Sequence, residues 1–333
     1  MKKIRMKQPY HLLIIGGILL ISIGVSICFG TATISWEALK SIFTSGDMSP
    51  ERTILLYVRI PRVIGGAFAG AALAAAGMIL QNILNNSLAS PGIIGVNAGA
   101  GFFVALSITI FPSVIYMVPM MAFVGALIAM LLIYFTARKA RASRTTVILA
   151  GIAINSILNA GIDIIHVINP TAVLGTIEFR VGGFNAMNSR ILLPACIMIG
   201  VALLILSSLC IEIEILMLGD EMANSLGLHT ERIRFVALAL AAVLAGAAVS
   251  FCGLLGFVGL IVPHIARVLV GSQTRYLLPA SIMLGATFVL LSDLLARVVV
   301  RPYEIPAGII LSILGAPFFL YLLFYKKRGI QND

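Results

Sequence analysis

Three arginines, Arg59, Arg62 and Arg297, could form ion pairs with another protein, and each adjoins a long apolar segment. A guanidinium group presents a planar fork of N–H donors that can bind a carboxylate through two hydrogen bonds. Arginine at the edge of an apolar segment can also simply extend its charge into water along its apolar stem. We predict that these three side chains bind carboxylates of an external partner protein, with plain anchoring as the alternative.

A second set of candidate residues forms the acidic segment Glu212–Glu231, which carries five acids and no Lys or Arg. Its apolar residues are divided by Gly219 and Gly227, a pattern that predicts short helices with apolar residues on one side. Such helices can dock into a groove, here on a basic protein surface, whereas the alternative is a solvated connector. We therefore predict a cytoplasmic coupling loop at 212–232. Its contact residues would be Leu218, Gly219, Asp220, Glu221, Ala223, Leu226 and Gly227.

The sequence lacks the motif that holds ATP in P-loop proteins. That motif, GxxxxGK[ST], needs a lysine directly after a glycine, and none of the seven lysines follows a glycine. The four cysteines form no CxxC pair and are predicted to be core residues. We predict that the chain is not an enzyme and binds no cofactor or metal. Any ATP and Mg would then be bound by a separate ATPase subunit.

The composition identifies the kind of chain that positions these residues. The 333 residues are 60% hydrophobic and only 11% charged, with a mean hydropathy of +1.08, whereas soluble domains carry roughly 25% charge. We predict an all-α polytopic membrane protein with about ten transmembrane helices and no separate soluble domain. The predicted spans are 11–30, 62–81, 92–111, 114–136, 145–167, 191–211, 233–252, 255–271, 277–298 and 305–325.

The basic residues predict the orientation of these spans. Of the 23 Lys and Arg, 15 fall on the side that holds both termini and 8 on the other. Because basic residues collect on the cytoplasmic side of membrane proteins, both termini are predicted to be cytoplasmic. The net charge of +10 is then explained by this asymmetry and by the lipid bilayer, and no nucleic-acid partner is predicted.

Acids near the spans bear on how transport could be driven. Asp163, Asp293 and Glu304 all fall toward the outer ends of their predicted spans, and no carboxylate lies near a span centre. Ion-coupled carriers usually place titratable groups inside the membrane, so this arrangement argues against proton or sodium coupling. Sodium sites made from backbone carbonyls remain open.

One stretch is unusually rich in small residues: 11 of the 13 positions at 65–77 are Gly or Ala. Such composition lets helix backbones approach closely in a membrane. AGAALAAAG at 69–77 returns as AGAAVSFCG at 245–253, which predicts two halves of inverted topology, 59–168 and 233–325. The residues predicted to pack these spans or to line a translocation pathway are Gly70, Gly77, Gln81, Asn86, Pro91, Gly95, Gly246, Gly253, Gly259, Pro263 and His264.

Six blocks in the same order resemble the FecCD-type permeases of iron-complex and cobalamin ABC importers. They are RIPR at 59–62, Gln81 with NSLASPGIIGVNAGAG at 86–101, LAGIAIN at 149–155, LMLGDEMANSLGL at 216–228, FVGLIVPHIAR at 257–267 and EIPAGIILSILGAPFF at 304–319. The resemblance implies ten helices, a dimer of permeases, two cytoplasmic ATPases and an external binding protein. It also implies that residues 218–227 dock into the ATPase, and that Arg59, Arg62 and Arg297 meet acids of the binding protein.

The sequence thus predicts one transmembrane permease domain over 1–333, in a bacterial cytoplasmic membrane. Its expected function is the import of a ferric siderophore or related iron chelate, driven by ATP in a partner subunit. The alternative is an ion-coupled secondary transporter with inverted repeats. The ligand stays open among hydroxamate and catecholate siderophores, haem and cobalamin, as does the choice between a homodimer and a heterodimer.

Overall fold

The computed structural model describes residues 8–30, 50–114, 116–139, 144–185 and 187–330, and both chain termini lie outside these ranges. The described residues contain helices and no strand, which confirms the predicted all-α fold. The helices are α1 (Gln8–Cys28), α2 (Pro50–Ile54), α3 (Ile60–Ile83), α4 (Val96–Ile110), α5 (Met117–Lys139), α6 (Arg144–Ile168), α7 (Ala172–Val181), α8 (Ser189–Ser208), α9 (Cys210–Leu216), α10 (Asp220–Ser225), α11 (Thr230–Cys252), α12 (Val258–Val270), α13 (Thr274–Val298) and α14 (Ala307–Ile330). A π-helical turn, Leu55–Arg59, joins α2 to α3.

The observed helices match the predicted spans closely. Seven helices in the described part of the chain are long and apolar enough to cross a membrane, and shorter apolar helical segments are found in α4, α12 and, at Ala307–Tyr321, α14. The long apolar stretch around residue 250 breaks after Cys252, where Gly253 (φ +69°) ends α11 and Phe257 (φ +64°) precedes α12. The short helix α7 was not predicted, because it is too short to register as a span, whereas α9 lies before Gly219, where the sequence pattern predicted a short helix.

Helix α3 forms the centre of the molecule and packs against α11, α12 and α13. Its surface is almost entirely buried because its Gly and Ala residues place neighbouring backbones in direct contact. A Cβ atom added at Gly70 would lie 2.1 Å from the Gly285 carbonyl oxygen, and one at Gly77 would lie 1.9 Å from that of Gly259. Gly at these positions therefore permits a helix separation that no larger residue would allow.

The packing follows the pairing expected of the predicted repeat. Helix α3 packs on α13, and α11, the second copy, packs on α5. Gly70 of α3 faces Gly285, and the matching Gly246 of α11 faces Phe123 and Ala126 of α5. Helix α4 contacts α5 and α6, and its counterpart α12 in the second half contacts the corresponding helices α13 and α14. The inverted repeat stays a prediction, with which this packing agrees.

We predict that Gly77→Ala lowers the stability of the folded chain, because the new methyl group must displace the backbone of α12. Overpacking of this kind costs about 1–3 kcal/mol, which thermal unfolding of the detergent-solubilised chain would detect. Gly17→Ala is the matched control: Gly17 also lies within a spanning helix, but a Cβ there meets nothing within 4 Å. Equal melting temperatures for the two variants would contradict this account of the core.

Candidate functional site

Arg62 is the centre of a buried ion-pair cluster at one end of the bundle. Its Nε and Nη2 atoms donate to the Asp293 carboxylate of α13 at 2.9–3.1 Å, and its Nη1 donates to Glu304 Oε2 at 2.7 Å. Nη2 also donates to Asn185 Oδ1 at 3.1 Å. The side chains of Arg62 and Asp293 are 4% and 3% exposed, whereas that of Glu304 is 27% exposed. We call Arg62, Asp293, Glu304 and Arg297 the outer charge cluster, after the side of the membrane on which the sequence analysis predicts them.

Two arginines of this region also hold the end of the first helix. Arg59 Nη1 donates to the carbonyl oxygens of Ile27 and Cys28 at 2.8 and 2.7 Å. Arg297, whose Nε lies 3.1 Å from Asp293 Oδ2, donates to the carbonyls of Ser26 and Phe29. The last carbonyls of a helix lack intrahelical donors and carry partial negative charge. These guanidinium groups therefore attach the end of α1 to the π-helical turn before α3 and to α13.

The predicted docking arginines are thus brought together, but they are 3–4% exposed and bind groups of their own chain. The sequence interpretation overlooked this intramolecular pairing. A signal was available: Asp293 and Glu304 were assigned to the same side of the membrane as the arginines, in a chain with few charges. A docking role for Arg59, Arg62 and Arg297 stays a prediction.

A polar cluster lies at the other end of α3. Gln81 Nε2 donates to the carbonyls of Gly259 and Leu260 at 3.3 and 3.2 Å, and Arg267 donates to Gln81 Oε1 and Asn82 Oδ1. These bonds tie the end of α3 to α12, in which Pro263 is buried and His264 partly buried.

The turn that follows α3 is fixed by its own hydrogen bonds. Asn86 Oδ1 accepts from the Leu88 N–H at 2.9 Å, and Val96 N donates to the Pro91 carbonyl at 3.1 Å. Gly95, at φ +86°, then leads into α4.

The Gly-rich spans pack closely within this chain, which agrees with one of the two roles predicted for them, and the pathway role stays a prediction. Gly70, Gly77, Gly246 and Gly259 are buried and face neighbouring backbone or side chains at close range. Gly253 is buried against the Phe179 carbonyl. These close contacts explain why glycine is present at these positions, because any larger residue would push the helices apart.

The acidic coupling loop forms a helical element that is largely exposed. Ala223 is the buried residue of α10, whereas Leu218, Met222 and Leu226 are 63%, 56% and 60% exposed. Gly219 (φ +103°) precedes α10 and Gly227 (φ +82°) follows it, as the sequence pattern predicted. Asp220 and Glu221 form the first turn of the helix.

The neighbouring helix α9 carries a thiol of low reactivity. Burial raises the pKa of the Cys210 thiol, and Glu212 and Glu214 raise it further. The thiolate is the reactive form, so both effects disfavour reaction at Cys210. In the ranges that the structure describes, no group of three or more His, Cys, Asp or Glu residues could hold a metal ion.

Helix α6 carries a polar face that sequence reasoning missed. Ser156, Asn159 and Asp163 are exposed and lie on one side of the helix, because residues three or four apart share a helix face. Ser156 is the midpoint of Arg144–Ile168. The 18-residue core of this span is only 11% buried. The sequence contained a signal for this face, since Ser156, Asn159 and Asp163 are separated by three and then four positions, the spacing of one side of a helix.

A bundle of apolar helices with a polar face at span depth and a protruding acidic loop defines a multi-pass membrane permease. The particular group follows from comparison with known proteins. The sequence model of the FecCD transport family matches residues 18–325, and the chain belongs to this family.

Curated relatives cover nearly the whole chain. An Fe(3+)-citrate import system permease protein of Bacillus subtilis, YfmE, is 39% identical over 98% of this chain and 99% of its own length. A probable siderophore transport system permease protein of the same organism, YfiZ, is 33% identical over 94% of both chains. A probable haem-iron transport system permease protein of Staphylococcus aureus, IsdF, is 34% identical, again over 94% of each chain.

Solved structures agree with the fold. A metal-chelate type ABC transporter in an inward-facing conformation superposes with a TM-score of 0.85 at 28% identity, over 95% of this chain and 99% of that one. PsaBC of Streptococcus pneumoniae shares the fold more distantly, with a TM-score of 0.57 at 18% identity, over 81% of this chain and 92% of that one.

We predict that Arg62→Ala destabilises the chain strongly, because it leaves Asp293 buried with one cation fewer. Removing one partner of a buried ion pair typically costs about 3–5 kcal/mol, which unfolding of the purified chain would measure. Arg190→Ala is the control, since Arg190 is exposed and donates to Tyr116 at 3.4 Å. If both variants unfold alike, the outer charge cluster contributes no more than surface contacts do.

Proposed function

We propose that the chain is the membrane permease subunit of an ATP-driven importer for a ferric siderophore or related iron chelate. The observation that carries this proposal is the exposed apolar side of α10 between acidic residues. Isolated apolar residues on a surface are common, but here three are more than half exposed within nine residues: Met222 on α10, and Leu218 and Leu226 on either side of it. A protruding element of this kind fits a groove in a partner.

The partner that suits this loop is a cytoplasmic ATPase subunit. Glu212, Glu214, Asp220, Glu221 and Glu231 give the loop a negative charge, which complements a basic groove. Because the chain has no P-loop lysine, ATP and Mg would be bound by this ATPase. Both termini would lie on the same cytoplasmic side, in accord with the distribution of Lys and Arg.

The substrate class rests on the names of the relatives. Ferric citrate, siderophores and haem-iron share one property, a bulky organic shell around iron. We assign this chain to iron chelates on that ground.

The translocation pathway would run along the polar face of α6, between this chain and a second permease copy. A hydroxyl, an amide and a carboxylate facing hydrocarbon would be costly, so such residues normally face other protein or a water-filled cavity. Ile157 and Ile164 on the same helix are 70% and 60% exposed and could contact lipid or the second copy. The pathway would therefore form where two copies place their α6 helices beside each other.

An extracytoplasmic binding protein would deliver the chelate to the outer end. Glu304 is the member of the outer charge cluster with the greatest exposure. A carboxylate of the binding protein could therefore reach Arg62 by replacing Glu304, and Arg59 and Arg297 lie beside it. This exchange would reconcile the buried arginines with their predicted docking role.

The central prediction is ATP-driven uptake without an ion gradient. Proteoliposomes would contain this chain, its ATPase and its binding protein, and uptake of radioactive iron as ferric citrate, a ferric hydroxamate and haem would be followed. We expect accumulation of at least one chelate that requires ATP and survives ionophores. Uptake that follows a sodium or proton gradient and ignores ATP would instead establish the ion-coupled alternative.

A second prediction concerns α10. Replacing Met222 and Leu226 together by Ala removes exposed apolar surface from the proposed contact, and hot-spot residues of this kind contribute about 1 kcal/mol or more each. We expect ATPase binding to weaken at least tenfold, measured by titration of the ATPase onto the detergent-solubilised chain. Ile211→Ala, on α9 and 71% exposed, should bind normally. Unchanged affinity of the double variant would make the loop a solvated connector.

A further inference from the structure

Three separate segments meet through their backbones at the end of α11. Gly183 N donates to the Cys252 carbonyl at 2.8 Å, and Leu254 N donates to the Phe179 carbonyl at 2.9 Å. These two bonds join the end of α7 to the end of α11. A third bond, from Gly308 N to the Gly182 carbonyl at 3.1 Å, adds the start of α14.

The close approach of these three backbone segments requires glycine at three positions. We call these residues, Gly182, Gly253 and Gly308, the glycine junction. A Cβ at Gly308 would lie 1.9 Å from the Val181 carbonyl oxygen, and one at Gly182 would lie 2.3 Å from that of Leu254. A Cβ at Gly253 would lie 2.5 Å from the Phe179 carbonyl oxygen. Each neighbouring atom belongs to backbone, which cannot turn aside as a flexible side chain can. The contact is therefore one of backbone on backbone.

The opposite end of α11 is attached to the coupling loop. Arg234 lies in the second turn of α11, and its Nη2 atom is 2.5 Å from Asp220 Oδ1 of α10. Thr230 Oγ1 donates to Asn224 Oδ1 at 3.2 Å, and Leu228 N donates to the Ala223 carbonyl at 3.0 Å. Both ends of α10 are thus bonded to the start of α11 or to the turn before it.

Between these attachments α11 is one uninterrupted helix. It has 23 residues and no proline, so it extends for roughly 35 Å at about 1.5 Å per residue. Its middle is buried in the core and packs closely on α5, where Gly246 faces Ala126. Packed interiors are stiff and pass displacement on, so α11 should move as a unit.

We infer that α11 carries the motion of α10 to the glycine junction, and that Gly182, Gly253 and Gly308 are positioning residues for transport. When the ATPase moves α10, α11 shifts with it, and the backbone bonds require the end of α7 and the start of α14 to follow. Side chains at such a contact could absorb a small shift by changing rotamer, whereas directly bonded backbones cannot. This inference rests on the proposed function, since it needs a partner that moves the loop.

The test uses the full complex in proteoliposomes, with ATP hydrolysis and chelate uptake measured on the same sample. Gly308→Ala is the informative variant, because Gly308 has a helical φ and its substitution changes only the close approach. We expect ATP hydrolysis within twofold of wild type and uptake at least tenfold lower. Gly183→Ala is the matched control one position from Gly182: its Cβ would meet nothing closer than 3.5 Å, and it should keep the wild-type ratio of uptake to hydrolysis.

A second measurement separates positioning from packing. Leu174 of α7 is 75% exposed, so a Leu174→Cys side chain can be labelled with a maleimide in a background with Cys28, Cys196 and Cys210 replaced by Ser. We expect the labelling rate to differ between the nucleotide-free and ATP-bound complexes. That difference should vanish in Gly308→Ala and persist in Gly183→Ala.

The outcomes discriminate clearly. Normal coupling and nucleotide-dependent labelling in Gly308→Ala would overturn the inference and leave the junction a local packing feature. If Gly308→Ala does not assemble, the ion pair between Asp220 and Arg234 provides the test. Asp220→Arg and Arg234→Asp should each uncouple uptake from hydrolysis, and the two substitutions together should restore the coupling. Single variants that couple normally would again overturn the inference. Failure of the proposed function looks different, because the wild-type complex would then show no ATP-dependent uptake.

Discussion

Direct contact between helix backbones at glycine is the constraint on which the structure depends. Within a membrane the hydrophobic effect does little to hold helices together, so close packing and hydrogen bonds must do so. At Gly70 and Gly285 the chain meets this requirement by removing the side chains altogether. The consequence is that α3, α11 and α13 form a centre with no room for a solute. The proposed function therefore places the work of transport on the surfaces around this centre: the polar face of α6, the coupling loop and the outer end.

The two ends of the bundle differ in how they treat charge. At the outer end Arg62 and Arg297 neutralise Asp293 and Glu304 inside the protein, and burial of such ions is tolerated only when they are paired and hydrogen-bonded. At the other end the acids of α10 stay largely in solvent, with Asp220 54% exposed even in its pair with Arg234. The end that holds Arg62 is therefore stabilised by charges that satisfy one another, whereas the acids of α10 stay available to the proposed ATPase partner.

The spans could be predicted because each depends on local composition. The division between the predicted spans 233–252 and 255–271 matches the observed break after Cys252, since an apolar run that long needs an interruption. The pairing of Arg62 with Asp293 could not be predicted in the same way, because 231 residues separate them and only the folded packing of α3 on α13 brings them together. The glycine junction was hidden for a similar reason: Gly182 and Gly308 lie in unrelated segments, and their need for glycine arises from a contact between those segments.

The polar face of α6 suggests why such a pathway would conduct without binding tightly. The Ser156 hydroxyl donates to the Ile152 carbonyl at 3.1 Å, and the Asn159 amide donates to the Asn155 carbonyl at 2.8 Å. With these donors already engaged by their own helix, the face can be wetted but has little donor capacity left for a chelate. A transported solute must leave as readily as it enters, and a wall with part of its donors engaged by its own helix favours that release. Selection among chelates would then have to occur before the chelate reaches α6, at the outer end where the binding protein docks.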